Sequence, residues 1–236
     1  PDEDRLCMCV EAELGPSGAL RSSKVFEGVM RSRARLTYRG VTDALDLGEG
    51  GVDQPEAKKR VENLQALHSL AKALRKRRMR RGALDFDLPE PRVVLDKHGV
   101  EPITVKQSRK EEGIREAYRI VEEMMLLANE VVAAEMKRLE VPAIYRIHGT
   151  PDDRKIENFA KLAVALGYDV TAEAAKDPKQ LSKFLGEIDG TEHAPVLRYL
   201  LLRAMQQASY DPAPDVGHFG LATKDYLHFT SPIRRY

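Results

Sequence analysis

"EEGIREAYRIVEEMMLLANEVVAAEMKRL", residues 111–139, is the stretch on which the fold turns. Apolar residues return at Ile114, Ala117, Tyr118, Val121, Met124, Met125, Ala128, Val132 and Met136. That spacing of three and four lines one face of an α-helix. No proline interrupts it. At about 1.5 Å per residue such a helix runs roughly 40 Å, long enough to organise a domain around it. Two acids, Glu122 and Glu123, sit among the apolar residues of "IVEEMM". Either one of them faces a buried polar site, or both occupy the flank of the helix.

Upstream the chain reads as β. "RLCMCVEAEL" (5–14) and "KVFEGVMRSRARLTY" (24–38) flank the turn residues "GPSG", which predicts a long hairpin. A Gly/Asp-rich loop, "LDLGEGGVDQ" (45–54), leads to a helix that opens at Pro55. It carries Val61, Leu64, Leu67, Leu70, Ala71 and Leu74 at helical spacing and ends at Gly82. "ALDFDL" (83–88) and "RVVLDKHGVEPITVK" (92–106) read as strands, with "DKHG" as the turn inside the second stretch. Downstream, "AIYRIH" (143–148) is a short strand. "TPDDRKIENFAKLAVALG" (150–167) opens a helix with Thr150 as cap and Pro151 in the first turn. "DPKQLSKFLGEI" (177–188) and "APVLRYLLLRAMQQASY" (194–210) are two more. The end, from Asp215 to Tyr236, is aperiodic and rich in Gly, Pro and His. There is no internal repeat and no obvious linker, so the expectation is one α+β unit, strand-rich first and helical afterwards.

Composition excludes several classes. Apolar residues make up 42% and charged residues 32%, a globular balance. Lys and Arg number 38 against 37 Asp and Glu, so the chain is not globally basic. No apolar run reaches the ~20 residues of a membrane span, and no signal peptide is visible. The chain lacks an initiator Met and reads as a piece of something longer. Cys7 and Cys9 in "LCMCV" share one face of a strand and read as buried, reduced thiols rather than a metal or redox pair, which implies a cytoplasmic protein. The run "RKRRMRR" (75–81) has two readings: a solvated helix end favoured by the dipole, or a phosphate-contacting patch. There is no Walker loop, dinucleotide fingerprint, zinc-type spacing or nucleophile elbow.

The last segment concentrates polar and aromatic chemistry. His218, His228, Arg234 and Arg235 accompany Phe219, Tyr226 and Phe229. Guanidinium groups bind phosphate bidentately, and aromatic rings stack on bases.

"HFGLATKDYLHFTSPIRRY" resembles a hallmark segment of the ribonuclease II/ribonuclease R superfamily catalytic (RNB) domain. "DRLCMCVEAEL", "VMRSRARLTY", "RRGALDFDLPE", "RIVEEMMLLANE", "IYRIHGTPD" and "LLLRAMQQASY" occur with it in family order and cover essentially the whole chain, leaning to the bacterial ribonuclease R branch. The resemblance implies the C-terminal part of a single catalytic domain over residues 1–236, with a mixed or antiparallel sheet and packed helices. It implies a cytoplasmic 3′→5′ exoribonuclease that degrades single-stranded RNA processively to nucleoside 5′-monophosphates, flanked in the full protein by OB-type RNA-binding domains. The Mg²⁺ such an enzyme uses would be held by aspartates upstream of "DRLCMC", so no metal ligand is assigned in this chain. By the same resemblance Arg234 grips phosphate at the cleavage site, Tyr38 and Glu122 read the ribose, and Phe86 stacks on bases. Arg235 contacts RNA, while His148 and His218 brace the site. Phe86 as plain core, and the whole chain as a non-catalytic RNA-binding module, remain alternatives.

Overall fold

The computed structural model describes residues 1–86, 90–96, 99–108, 112–212 and 214–231. In chain order the elements are β1 (Asp4–Leu14), β2 (Leu20–Arg31), α1 (Tyr38–Ala44), α2 (Pro55–Lys58), α3 (Val61–Arg81), β3 (Glu90–Leu95), β4 (Pro102–Ser108), α4 (Glu112–Arg138), β5 (Tyr145–Ile147), α5 (Asp153–Ala165), α6 (Pro178–Glu187), α7 (Ala194–Ala204) and β6 (Ser209–Asp211). The class is α+β. Among the described residues the strands form three two-stranded sheets, β1–β2, β3–β4 and β5–β6, of which the last two are antiparallel. None of the described helices is long and apolar enough to cross a membrane.

The chain divides into two compact units. The first comprises Pro1–Cys9, Phe26–Lys72 and Asp87–Met124. Its core gathers Val41, Ala57, Leu64, Ala71, Ala117 and Ile120, with Leu36, Leu45 and Met124 packed against them. The second comprises Val10–Val25, Ala73–Phe86 and Met125–Tyr236. It holds a large apolar core from α5, α6 and α7, in which Ile156, Leu181, Ile188, Leu197 and Leu201 are fully buried. A smaller cluster joins Val132 and Ala133 of α4 to Tyr145 and Leu227.

Several elements differ from the sequence reading, each for a local reason. The second strand stops at Arg31, and Tyr38 opens a helix instead of closing a strand. Thr37 is the cause: its side chain accepts from the Gly40 amide at 3.0 Å and nucleates α1 as an N-cap. Residues 83–86 form no strand; Leu84 N–H donates instead to the Gly220 carbonyl. Helix α5 is capped by Asp152, which accepts from Lys155 N–H at 2.9 Å, and not by Thr150. Helix α7 ends at Ala204, where Met205 turns extended, and residues 209–211 return as β6 to pair with β5.

The long helix α4 exists nearly as expected, but its buried face is turned. Val121 and Met125 stay exposed at 43% and 40%, while Ile120, Glu123 and Asn129 are buried. Cys7 and Cys9 do share a face, with their sulfurs 3.5 Å apart, but they are half-buried free thiols of the hairpin rather than core. Gly82 ends α3 with φ +104°, and a Cβ there would stand 2.8 Å from the Lys179 backbone nitrogen. Both the dihedral and the close approach require glycine.

Candidate functional site

In the first unit the positioning of Tyr38 begins with Gln54. The Gln54 side-chain oxygen accepts from the backbone N–H and the hydroxyl of Thr37, at 3.0 and 3.2 Å, and its amide donates to the Arg35 carbonyl at 2.8 Å. One side chain thus ties down the segment that leads into α1. Gly40 leaves room for it: a Cβ there would lie 2.2 Å from the Gln54 oxygen. The glycine-rich loop after α1 is fixed in turn by Asp43, whose carboxylate accepts from Val52 and Gly50 N–H, each at 2.7 Å. Those two donors hold the Asp43 carboxyl below the usual carboxylate range. Buried Thr42 donates to the carbonyls of Tyr38 and Gly113, joining α1 to the start of α4. On this base Tyr38 stacks on Tyr118, with ring centroids 3.6 Å apart and planes 19° from parallel, and remains 37% exposed. Of the two acids in "IVEE", Glu123 is the buried one, and Glu122 is half-buried on the flank.

The second unit contains the other residues that the sequence singles out. Phe86 is half-buried and packs against the core of α5, α6 and α7. His148 and His218 come together, with ring centroids 5.0 Å apart. His148 Nε2 donates to the Gln206 carbonyl at 2.8 Å, so Nδ1 is free to accept from Gly220 N–H at 3.1 Å. His218 Nδ1 accepts from Leu221 N–H at 3.2 Å. Burial lowers the His148 pKa and pushes that of His218 down to about 4, with the neighbouring His148 and Arg146 adding to the effect. Both rings are therefore neutral near pH 7, each in one tautomer set by its backbone partners. They hold the backbone from Gly217 to Thr223, where Phe219 N–H also donates to the His148 carbonyl and His148 N–H to that of Gly217. Together with Arg81, Lys179 and Lys224 they line a cavity of about 400 Å³.

Past Thr223 the chain is held by groups that sequence reasoning missed. Lys137 of α4 pairs with Asp225 at 2.7 Å. Asn129, also on α4, donates to the Tyr226 hydroxyl at 3.0 Å, and its side-chain oxygen accepts from both the N–H and the hydroxyl of Thr230. Burial raises the Tyr226 pKa. Tyr210 of β6 meets His228 at 2.8 Å, and the Arg146 guanidinium lies 4.8 Å from the centre of the Tyr210 ring. "HFTS" is thus fastened from several sides. A signal for Asn129 was present: it is the one amide inside the apolar stripe of α4. Arg234 and Arg235 lie outside the described residues. Among the described residues, no three His, Cys, Asp or Glu side chains converge in a group fit to hold a metal ion, so no chemical step is assigned to a metal held by them.

The RNB domain family matches this chain over residues 1–236. The ribonuclease R of Aquifex aeolicus is 39% identical over 236 residues, covering 100% of this chain and 32% of its own length. That of Escherichia coli K12 is 37% identical, covering 100% of this chain and 28% of its own. The chain therefore spans about a third of the length of these curated relatives. The apo structure of Mycoplasma genitalium RNase R superposes with a TM-score of 0.85 at 25% identity, over 99% of this chain and 35% of that one. The same enzyme is known in complex with ribose methylated single-stranded RNA. A family match along the whole sequence, relatives aligned over all of it and the shared fold agree: this chain belongs to the RNB domain family.

Proposed function

We propose that the protein to which this chain belongs is a 3′→5′ exoribonuclease that threads single-stranded RNA and releases nucleoside 5′-monophosphates, acting in the cytoplasm as part of a single catalytic domain with OB-type domains beside it. The observation that carries the reading is the fastening of "HFTS" by Asn129, Tyr226 and Tyr210, two residues ahead of the arginine pair in the sequence. Directional hydrogen bonds of this kind hold a segment in one geometry, which a catalytic site requires of the residues around it.

Each residue then has a task. Arg234 engages two oxygens of the scissile phosphate and stabilises the charge that grows there. Tyr38, already stacked on Tyr118, offers an exposed ring at the ribose end, and Glu122 accepts from the 2′-hydroxyl, the group that separates RNA from DNA. Phe86 supplies a stacking face and Arg235 a further phosphate contact. The neutral pair His148–His218 moves no proton and serves as a brace. Mg²⁺, with ligands supplied from outside this chain, would activate the attacking water when bound.

The test uses the full-length protein on 5′-labelled single-stranded RNA. Expected is a labelled strand that runs down to a single short end product, with unlabelled mononucleotides released from the first time points. Labelled mononucleotide at the first time points would overturn the directionality, internal fragments would overturn the exonucleolytic mode, and binding without hydrolysis would favour an RNA-binding module. Arg234→Ala should cut single-turnover cleavage by about 10²–10³-fold while leaving RNA affinity nearly intact.

A further inference from the structure

The basic run at 75–81 is sorted by the fold into two sets. Arg75 pairs with Asp85 at 2.6 Å. Arg78 is buried. Arg81 forks onto both oxygens of Glu130 and also donates to the Leu221 carbonyl. Arg77 donates to the Gly18 carbonyl at 3.0 Å, which anchors its head without neutralising its charge. Lys76 and Arg80 are left over. Both are exposed, and neither has an ion pair or hydrogen bond among the described residues.

Their placement works against the helix. Lys76 and Arg80 stand at i and i+4, one above the other about 6 Å apart along the axis, and like charges at that spacing repel. No acid occupies a position three or four residues from either of them. The helix dipole favours cations only in the last turn, so it accounts for Arg80 and not for Lys76. The same face carries Ser69, Lys72, Ala73 and Arg77, with no aromatic or large apolar residue to enter a bilayer. An unneutralised cation ladder with no apolar component matches a polyanion whose charges repeat along a line.

We propose that Lys76 and Arg80, with the charge of Arg77 beside them, form a phosphate track on the outer face of α3 that contacts the RNA backbone without reading sequence. The track is additional to Tyr38, Phe86, Glu122 and the arginine pair. It rests on the proposed RNA substrate and adds to it a contact that does not depend on sequence.

The experiment compares the full-length protein with a Lys76→Gln, Arg80→Gln variant, measuring binding of labelled single-stranded RNA across a salt series and turnover at saturating RNA. Two lost phosphate contacts should reduce the slope of log affinity against log salt by about 1.4, since each contact on a single strand contributes about 0.7. Affinity at low salt should fall several-fold, turnover at saturation should hold, and a charge-keeping swap, Lys76→Arg with Arg80→Lys, should restore the slope. Thermal stability of the Gln variant should stay level or rise, because a repulsion is removed. An unchanged slope would overturn the track. So would a lower melting temperature, lost turnover at unchanged affinity, or lost binding to polyglutamate alone, which would make the face a dock for acidic protein. Wild-type protein that binds RNA with the expected slope but releases no nucleotide would sink the hydrolytic reading and leave the track standing.

Discussion

The three-helix core and the C-terminal segment of the second unit are held with different emphasis. Helices α5, α6 and α7 bury Ile156, Leu181, Ile188, Leu197 and Leu201 completely, and Phe159 and Phe184 meet edge to face in their midst. From Gly217 to Thr230 the buried Phe219 and Leu227 are joined by directional contacts that set the course of the chain: the histidine pair, Lys137 on Asp225, and Asn129 on Tyr226 and Thr230. Apolar burial is strong but tolerant of small shifts, whereas hydrogen bonds fix direction at smaller net energy. The first region supplies stability, and the second spends little of it to set geometry.

Leu197→Ala should show the largest loss. Emptying a fully buried site costs about 2–5 kcal/mol, seen as a lower unfolding temperature of the full polypeptide, with activity per folded molecule retained. A specific loss of turnover at full stability would break the division between the regions.

Acid should act on the second region. His218 is held near pKa 4 against an ordinary 6.5, so the unfolded chain binds its proton first. Its contribution is complete above pH 6.5 and is lost as pH falls from 6.5 to 4, at most about 3 kcal/mol. Unfolding followed across that range should steepen for the wild type and flatten for His218→Asn. Identical profiles would remove the histidine from the account.

Asn129→Leu keeps the number and branching of the side-chain heavy atoms and strands the partners. The buried Tyr226 hydroxyl and Thr230 N–H lose their hydrogen bonds, at about 1–3 kcal/mol. If the segment sets the geometry of the proposed site, turnover should fall further than this loss accounts for, by about 10²-fold. Full activity in a merely destabilised variant would show that the fastening sets no geometry. The smallest change is Asp177→Ala, which removes the cap on the Gln180 amide of α6 and should cost about 1 kcal/mol with no effect on catalysis.

Legibility in the sequence tracks the range of each interaction. α3, α4 and the three helices of the second unit announced themselves because their apolar periodicity is local. Helix α1 did not: it is seven residues long, and its cap, Thr37, ends a stretch that reads as strand. The turned face of α4 was only half legible: the pattern left one of the two acids free to face a buried polar site without saying which, and Glu123 and Asn129 are the polar residues that go inward. Gln54 lies 17 residues from Thr37, and His148 lies 70 from His218, so neither pairing leaves a local trace. Family resemblance marked Tyr38 and the histidines as worth attention, but only the packing shows what holds them.

The β5–β6 ladder has a consequence for how such a chain can vary over evolutionary time. Three residue pairs, from Tyr145 with Asp211 to Ile147 with Ser209, bring together the two ends of the long excursion that contains α5, α6 and α7. The entropy of closing a loop grows only logarithmically with its length, so residues added to or removed from that excursion change the cost of closure very little. The exposed turns between these helices are therefore places where length can change at little cost in closure, while the ladder keeps both attachment points in register and the buried core stays fixed.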